Sequence, residues 1–335
     1  MQEITENTVR ELAAKTMLLK KEIQKIIVGQ ENVIDEILVA LFAGGHCLLE
    51  GVPGLAKTLM VRTIAQALHL SFRRIQFTPD LMPTDILGTE ILEEDHTTGK
   101  RFFKFNKGPL FANIVLADEI NRTPPKTQSA LLEAMQEFEI TYGGQTYKLD
   151  RPFFILATQN PIEQAGTYPL PEAQLDRFLL YIKIGYPTTA EEEAGILSNT
   201  TGNRKADVQA VLNGEEIQQL QKLVRDVHIS EDLVQYVATL IRATRPNDTT
   251  IHFVKEWVRW GAGPRAGQAL ILTAKSRALL KGRYAVMMED IQTMAAPVLR
   301  HRILMNFKAE AEQINSDNVT AVLLKEIARS KTALG

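Results

Sequence analysis

Residues 51–58 read GVPGLAKT, between the apolar run HCLLE at 46–50 and the helical stretch LMVRTIAQAL at 59–68. A strand, a glycine-bearing loop and a helix in that order form the setting of a Walker A phosphate loop. Backbone N–H groups there converge on an anion, and the helix N-terminus adds its positive end. Gly51, Val52, Pro53, Gly54, Leu55 and Ala56, continuing into Lys57, Thr58 and Leu59, would wrap a nucleotide's phosphates, with Lys57 reaching the β and γ groups and the Thr58 hydroxyl meeting Mg²⁺. The usual pattern is G-x-x-x-x-G-K-[ST], and Ala56 replaces its second glycine. An alanine suits that position if its dihedrals are helical, because only φ > 0 strictly prefers glycine. The competing reading is a strand-to-helix turn followed by a chance Lys-Thr.

About sixty residues on, the apolar run NIVLA at 113–117 ends in Asp118-Glu119. Two adjacent carboxylates beside a core cost free energy unless they are paired or bind a metal. After a phosphate loop this is the Walker B arrangement: Asp118 would hold Mg²⁺, directly or through water, and Glu119 would polarise the attacking water. The alternative is a pair that caps a helix beginning near Pro124.

These groups need a scaffold, and the rest of the chain supplies one. The sequence has 335 residues, 45% of them apolar and 23% charged, which describes a globular protein of about two domains. The 38 basic and 40 acidic residues nearly cancel, so there is no general electrostatic reason to bind nucleic acid or anionic lipid. The longest apolar run, Ile37 to Leu49, is roughly 13 residues, short of the ~20 that span a bilayer. The opening residues lack the pattern of a secretory signal, and the single cysteine, Cys47, lies inside that run; a cytoplasmic protein without disulfides is expected.

Residues up to about 45 read as two helices broken at Val28-Gly29-Gln30. Short apolar runs then alternate with helical stretches: 46–50, 72–77, 113–117, 153–158 and 179–184. They predict an α/β unit with a five-stranded parallel sheet covered on both faces. Two insertions read as hairpins, one over 86–105 with Thr98-Gly99 at its tip and one over 139–149 turning at Gly143-Gly144. After Tyr186-Pro187 no strand pattern recurs, and amphipathic helices are expected near 189–198, 214–227, 230–244, 265–280, 289–304 and 318–330, with Ser230 and Asn318 as N-caps. The expected domains are 1–187 and a smaller all-helical unit, 188–335.

Taken together, GVPGLAKT, QFTPDLMPTDILG at 76–88, KGPLFANIVLADEINR at 107–122, ATQNP at 157–161, LPEAQLDRF at 170–178 and GPRA at 263–266 resemble the AAA+ ATPases of the MoxR group over nearly the whole chain. The resemblance implies an AAA+ P-loop core followed by a helical lid, and ATP and Mg²⁺ as ligands. It also implies roles. Asn160 looks like the sensor-1 residue that positions water, with a turn as the plain alternative. Arg177 looks like the arginine finger that acts on a neighbouring subunit's nucleotide; the alternative is a salt bridge to Asp176 or Glu172. Arg265 looks like sensor 2, reaching the γ-phosphate from the lid. Val28 and Gly29 would lie against the adenine, or simply form the interhelix turn.

The function so implied is ATP hydrolysis by a homo-oligomer, a hexameric ring, that drives chaperone-like remodelling, maturation or metal-cofactor insertion of client proteins, among them proteins with von Willebrand factor A domains. The sequence also admits two rival readings. The hairpins also resemble those of nucleic-acid motors, against which the near-neutral charge counts, and a nucleotide switch would dispense with the hydrolytic groups. Phe102, Phe103, Phe105, Tyr142 and Tyr147 on the hairpins would touch a substrate or pack across strands. Lys100, Arg101, Lys104 and Lys107 form a small basic patch or a solvated face.

Overall fold

The computed structural model describes residues 6–94, 96–97, 99–161, 166–201 and 207–332. Thr98, expected at the tip of the first hairpin, lies outside them. Helices α1 (Glu6–Gln24) and α2 (Glu31–Phe42) lead in. The α/β part runs β1 (Cys47–Glu50), α3 (Lys57–Ala67), β2 (Phe72–Gln76), α4 (Pro83–Leu87), β3 (Gly88–Glu94), β4 (Arg101–Lys107), β5 (Ile114–Asp118), α5 (Pro125–Glu137), β6 (Glu139–Tyr142), β7 (Gln145–Lys148), β8 (Phe154–Gln159), α6 (Glu172–Leu175) and β9 (Leu180–Lys183). Beyond it lie α7 (Ala190–Thr201), α8 (Gly214–Asp226), α9 (Glu231–Ala243), α10 (His252–Trp257), β10 (Val258–Trp260), α11 (Pro264–Leu280), α12 (Met288–Leu299), β11 (Leu304–Met305), α13 (Phe307–Ala311) and α14 (Ser316–Thr332).

The central sheet has the order β2-β5-β8-β1-β9 with every pairing parallel. Its residues divide with the two-residue period of a strand. Leu49, Leu116 and Leu156 join one apolar cluster with α2 and α3, while Leu48, Val115, Ala117 and Ile155 join another with Leu131, Leu132 and Met135 of α5. Register levels the carboxyl ends, pairing Glu50 with Gln159 and Gln76 with Asp118. The loops leaving β1, β5 and β8 therefore open at one edge, where ligands bind in open α/β sheets. The antiparallel pairs β3–β4 and β6–β7 stand apart from this sheet as hairpins.

The second part shares the first cluster, since Leu220, Tyr236, Leu270, Ile291 and Leu323 pack together with the residues of α2. Ser276 Oγ also donates to the Val39 carbonyl at 2.8 Å. Two expectations need correction here. β10 and β11 form an antiparallel pair, Val258 opposite Met305, so the region is not wholly helical; strands of two and three residues are too short to show a period. Asn318 is not the N-cap of α14. The helix starts two residues earlier, Asn315 Oδ1 accepts from the N–H groups of Asp317 and Asn318, and Asn318 Oδ1 accepts from Asn315 N in return. Ser230 does cap α9, its hydroxyl accepting from Leu233 N.

Asp290 is fully buried in this second part, between Arg277 and Arg283 and against the N–H of Met287. Burial alone would raise its pKa, but hydrogen bonds from Arg283, Met287 N and Arg277 outweigh burial and hold it below the ordinary carboxyl value. Asp290→Asn is expected to cost about 3–5 kcal/mol, because it strands two arginines, and to lower the urea midpoint accordingly. A depressed folded pKa contributes stability that is complete above the unfolded value of about 4 and is lost as pH falls through the folded one. The gap between wild type and variant should therefore be constant at neutral pH and close only on strong acidification.

Candidate active site

The phosphate loop is shaped by what it passes. A Cβ on Gly51 would stand 2.9 Å from the Ile184 carbonyl oxygen and 3.0 Å from the Ile184 Cβ, so the end of β9 excludes any side chain there. Gly54 has φ +87°. Ala56 departs from expectation: its φ of 53° and ψ of 25° are left-handed, not helical, and it directly precedes α3. The chain accepts an alanine where a glycine would be unstrained, at a cost of about 1 kcal/mol. Lys57 and Thr58 open the helix, Leu59 follows, and Val52, Pro53 and Leu55 fill the loop. Lys57 Nζ donates to the Gly51 carbonyl at 2.6 Å, lying across its own loop. Partial burial lowers its pKa while the charges of Asp118 and Glu119 oppose the shift.

Asp118 is buried at the end of β5 and Glu119 is the first residue beyond it, at a left-handed φ of 59°. Thr158 of β8 joins them. Its hydroxyl donates to Asp118 Oδ1 at 2.6 Å and accepts from the Glu119 N–H at 2.8 Å. The other Asp118 oxygen accepts from Arg74 Nε at 3.0 Å and Nη2 at 2.6 Å. Glu119 Oε2 accepts from Gln76 Nε2 at 2.8 Å and Arg122 Nη1 at 3.1 Å. Buried Asn160 follows β8, and with Glu50, Asn121 and Gln159 it lines a cleft of about 430 Å³. Asn121 Oδ1 is buried with no hydrogen-bond partner among the described residues.

Val28 and Gly29 face α7: a Cβ on Gly29 would meet the Glu192 carboxyl at 3.0 Å, and one on Gly195 would meet Val28 Cγ1 at 3.1 Å. Both Gly29 and Gln30 are left-handed, which gives the turn its conformation. Arg177 and Arg265 gather elsewhere. Arg177 is exposed on the turn after α6 and forms no ion pair among the described residues. The expected alternative partner, Asp176, is engaged instead by Arg302 at 2.7 Å and by Arg265 at 3.5 Å. Arg265 thus stands beside the Arg177 turn, and among the described residues it makes no hydrogen bond or ion pair with the phosphate loop. Lys57, Asp118, Glu119 and Asn160 form one group; Arg177 and Arg265 form another.

Arg74 carries no signal in the sequence, and Gln76 and Thr158, although inside the stretches QFTPDLMPTDILG and ATQNP, have no role readable from them; all three meet Asp118 and Glu119 only through sheet pairing. The aromatic residues of the hairpins also separate. Phe105 stacks on Tyr147 at 4.2 Å and lies 5.4 Å from Tyr142, whereas Phe102 and Phe103 are exposed. Arg101 pairs with Glu94 and Lys104 with Glu93 across the first hairpin, and Lys107 lies over the Phe111 ring.

Residues for Mg²⁺ fit a nucleotide-borne ion. No group of three or more His, Cys, Asp or Glu that could hold a metal occurs among the described residues. Mg²⁺ is commonly held by one or two protein oxygens together with phosphates, and Thr58 and Asp118 are the residues that would supply them. Ala56→Gly is expected to leave stability unchanged or raise it by up to about 0.5 kcal/mol, since the left-handed strain it removes is largely returned to the unfolded chain's entropy. A thermal melt showing a loss of about 1 kcal/mol, the cost of glycine at a helical position, would contradict the left-handed assignment.

A family model described as the ATPase family associated with various cellular activities (AAA) matches residues 46–180, and one described as the AAA lid domain matches 252–322. The chain is 44% identical over 321 residues to chaperone MoxR1 of Mycobacterium tuberculosis, covering 95% of this chain and 84% of that protein. It is 40% identical over 307 residues to protein YeaC of Bacillus subtilis, covering 92% of each. The crystal structure of a candidate ATPase from Cytophaga hutchinsonii superposes with a TM-score of 0.87 at 43% identity, over 95% of both chains. No described helix is long and apolar enough to cross a membrane. On these likenesses, and on the strand order and loop that underlie them, the chain belongs to the MoxR family of AAA+ ATPases.

Proposed function

We propose that this protein binds ATP with Mg²⁺ and hydrolyses it at sites shared between neighbouring subunits of a homo-oligomeric, hexameric ring in the cytoplasm. We place the junction between core and lid near residue 187. The observation that carries the reading is the division of the hydrolytic groups: Lys57, Asp118, Glu119 and Asn160 cluster at the strand ends, while Arg177 stands exposed with Arg265 beside it. A site assembled from two chains explains why the second group lies apart.

In this reading Gly51 to Leu59 wrap the phosphates, and Lys57 leaves the Gly51 carbonyl to bind them. Mg²⁺, held with Thr58 and Asp118, supplies charge neutralisation at the phosphate oxygens. Glu119, released from Gln76 and Arg122, accepts hydrogen bonding from the attacking water and takes up its proton. Asn160 orients that water, and Val28 and Gly29 lie by the adenine. Arg177 of one subunit neutralises charge on the phosphate held by its neighbour, and Arg265 supports it from the same side. The printed name of the mycobacterial relative, a chaperone, supports coupling hydrolysis to remodelling, maturation or cofactor insertion of client proteins, with von Willebrand factor A domain proteins as one candidate class.

Two variants separate binding from turnover. Lys57→Ala is expected to weaken ATP binding by removing a charge-assisted contact worth about 1.5–3 kcal/mol, roughly 10- to 100-fold in Kd. Glu119→Gln should bind ATP normally and release phosphate at least about 100-fold more slowly. Calorimetric titration and phosphate release on both check this; near-normal turnover by Glu119→Gln would remove Glu119 from its role.

A further inference from the structure

The segment Arg300-His301-Arg302, just after α12, lies against the chain that leads from α6 into β9. Arg302 is its centre, with a side chain only 5% exposed. Its Nε donates to Asp176 Oδ1 at 2.7 Å. Its Nη1 donates to the carbonyls of Leu179 at 3.1 Å and Val298 at 2.6 Å. Its Nη2 donates to the carbonyls of Asp176 at 3.3 Å and Phe178 at 2.8 Å. All five N–H bonds of the guanidinium are thereby used. His301 Nε2 donates a further hydrogen bond to the Phe178 carbonyl at 3.0 Å, the ring being kept neutral by burial. Arg300 Nη1 donates to the Tyr181 carbonyl at 2.9 Å.

A buried guanidinium is costly unless every donor is satisfied, and an apolar side chain would fill the same space at no such cost. What the arginine provides is direction. Its planar fork fixes the carbonyls of residues 176, 178 and 179 relative to one another, which a lysine, with three donors on a single nitrogen, cannot reproduce. The residue enclosed by those carbonyls is Arg177, whose own side chain points out to solvent. The second oxygen of Asp176 is meanwhile paired with Arg265, so two arginines of the lid part hold one carboxylate next to the finger.

We infer that Arg302 is a positioning residue for Arg177: it sets the turn from which the finger is presented to a neighbouring subunit, and thereby ties the finger's placement to the seating of the lid. The inference rests on Arg177 acting across the interface. It assigns Arg302 to the group of residues that one subunit lends to another, although Arg302 itself is buried and touches no neighbour's nucleotide.

Subunit mixing tests this, with Arg302→Lys, Asp176→Asn, Arg177→Ala and Glu119→Gln as full-length proteins at concentrations where sedimentation shows assembly. Arg302→Lys should keep its ATP Kd within about twofold while kcat falls about 10- to 100-fold, the scale set by a misplaced catalytic group. Mixed with Glu119→Gln it should regain activity, because its intact Glu119 can face an intact finger. Mixed with Arg177→Ala it should regain none, since both lack a competent finger. A residue that only holds the domains together would not sort with Arg177. Activity recovered with Arg177→Ala, no recovery with Glu119→Gln where Arg177→Ala does recover, or wild-type turnover would each overturn the assignment. Should Arg302→Lys fail to fold, Asp176→Asn, which removes the partner charge from a half-buried site, is expected to show a smaller fall in kcat with the same mixing pattern, and the opposite pattern overturns the inference. If Arg177→Ala itself fails to complement Glu119→Gln despite exchange, the shared-site reading falls and this inference with it; if only the Arg302 and Asp176 variants misbehave, the shared site stands and the positioning role does not.

Discussion

The hydroxyl of Thr158 bridges two strands, and the arrangement of Asp118 and Glu119 depends on it. It donates to the Asp118 carboxylate and accepts from the Glu119 backbone, fixing two consecutive residues in opposite senses. That is possible because β8 pairs directly with β5, and β8 separates the strand that ends in Asp118 from the one that leads into the phosphate loop. The left-handed Glu119 is held in an uncommon conformation by this bond and by the Gln76 and Arg122 contacts on its side chain. A buried carboxylate at a strand end is tolerable when each oxygen is satisfied, and Asp118 meets that condition through Thr158 and Arg74.

A second centre of order lies at Asp176. There the polar contacts run between the α/β part and the lid part instead of within either, with Arg302 and Arg265 on the two carboxylate oxygens. In the proposed function, the first centre organises what a subunit does to its own nucleotide and the second what it offers to another. Because the lid packs into the same apolar cluster as α2 and α3, the two centres belong to one continuous structure, and movement of the lid would be felt at both.

Much of this was legible in the sequence for a physical reason: the phosphate loop and the carboxylate pair are local, and their chemistry needs particular residues at short spacing. GVPGLAKT and the strand before it could be read together, as could NIVLA running into Asp118-Glu119. The five parallel strands showed because buried strands are continuous apolar runs. What stayed hidden was non-local or too short. Arg74 is separated from Asp118 by 44 residues and Arg302 from Asp176 by 126, and nothing in either neighbourhood marks the partner. The β10–β11 pair is too brief for a period. A helix-compatible residue does not report its own φ, so the left-handed Ala56 is visible only in the structure, and the orientation of Arg265 depends on where the lid docks.

The central claim is that hydrolysis needs two subunits. It is tested most directly by phosphate release per subunit across a dilution series at saturating ATP, with assembly followed by sedimentation in the same buffer. A site completed by a neighbour predicts a rate per subunit that rises with the assembled fraction and falls toward zero when the protein is monomeric. A rate per subunit that stays constant while the ring dissociates would contradict it.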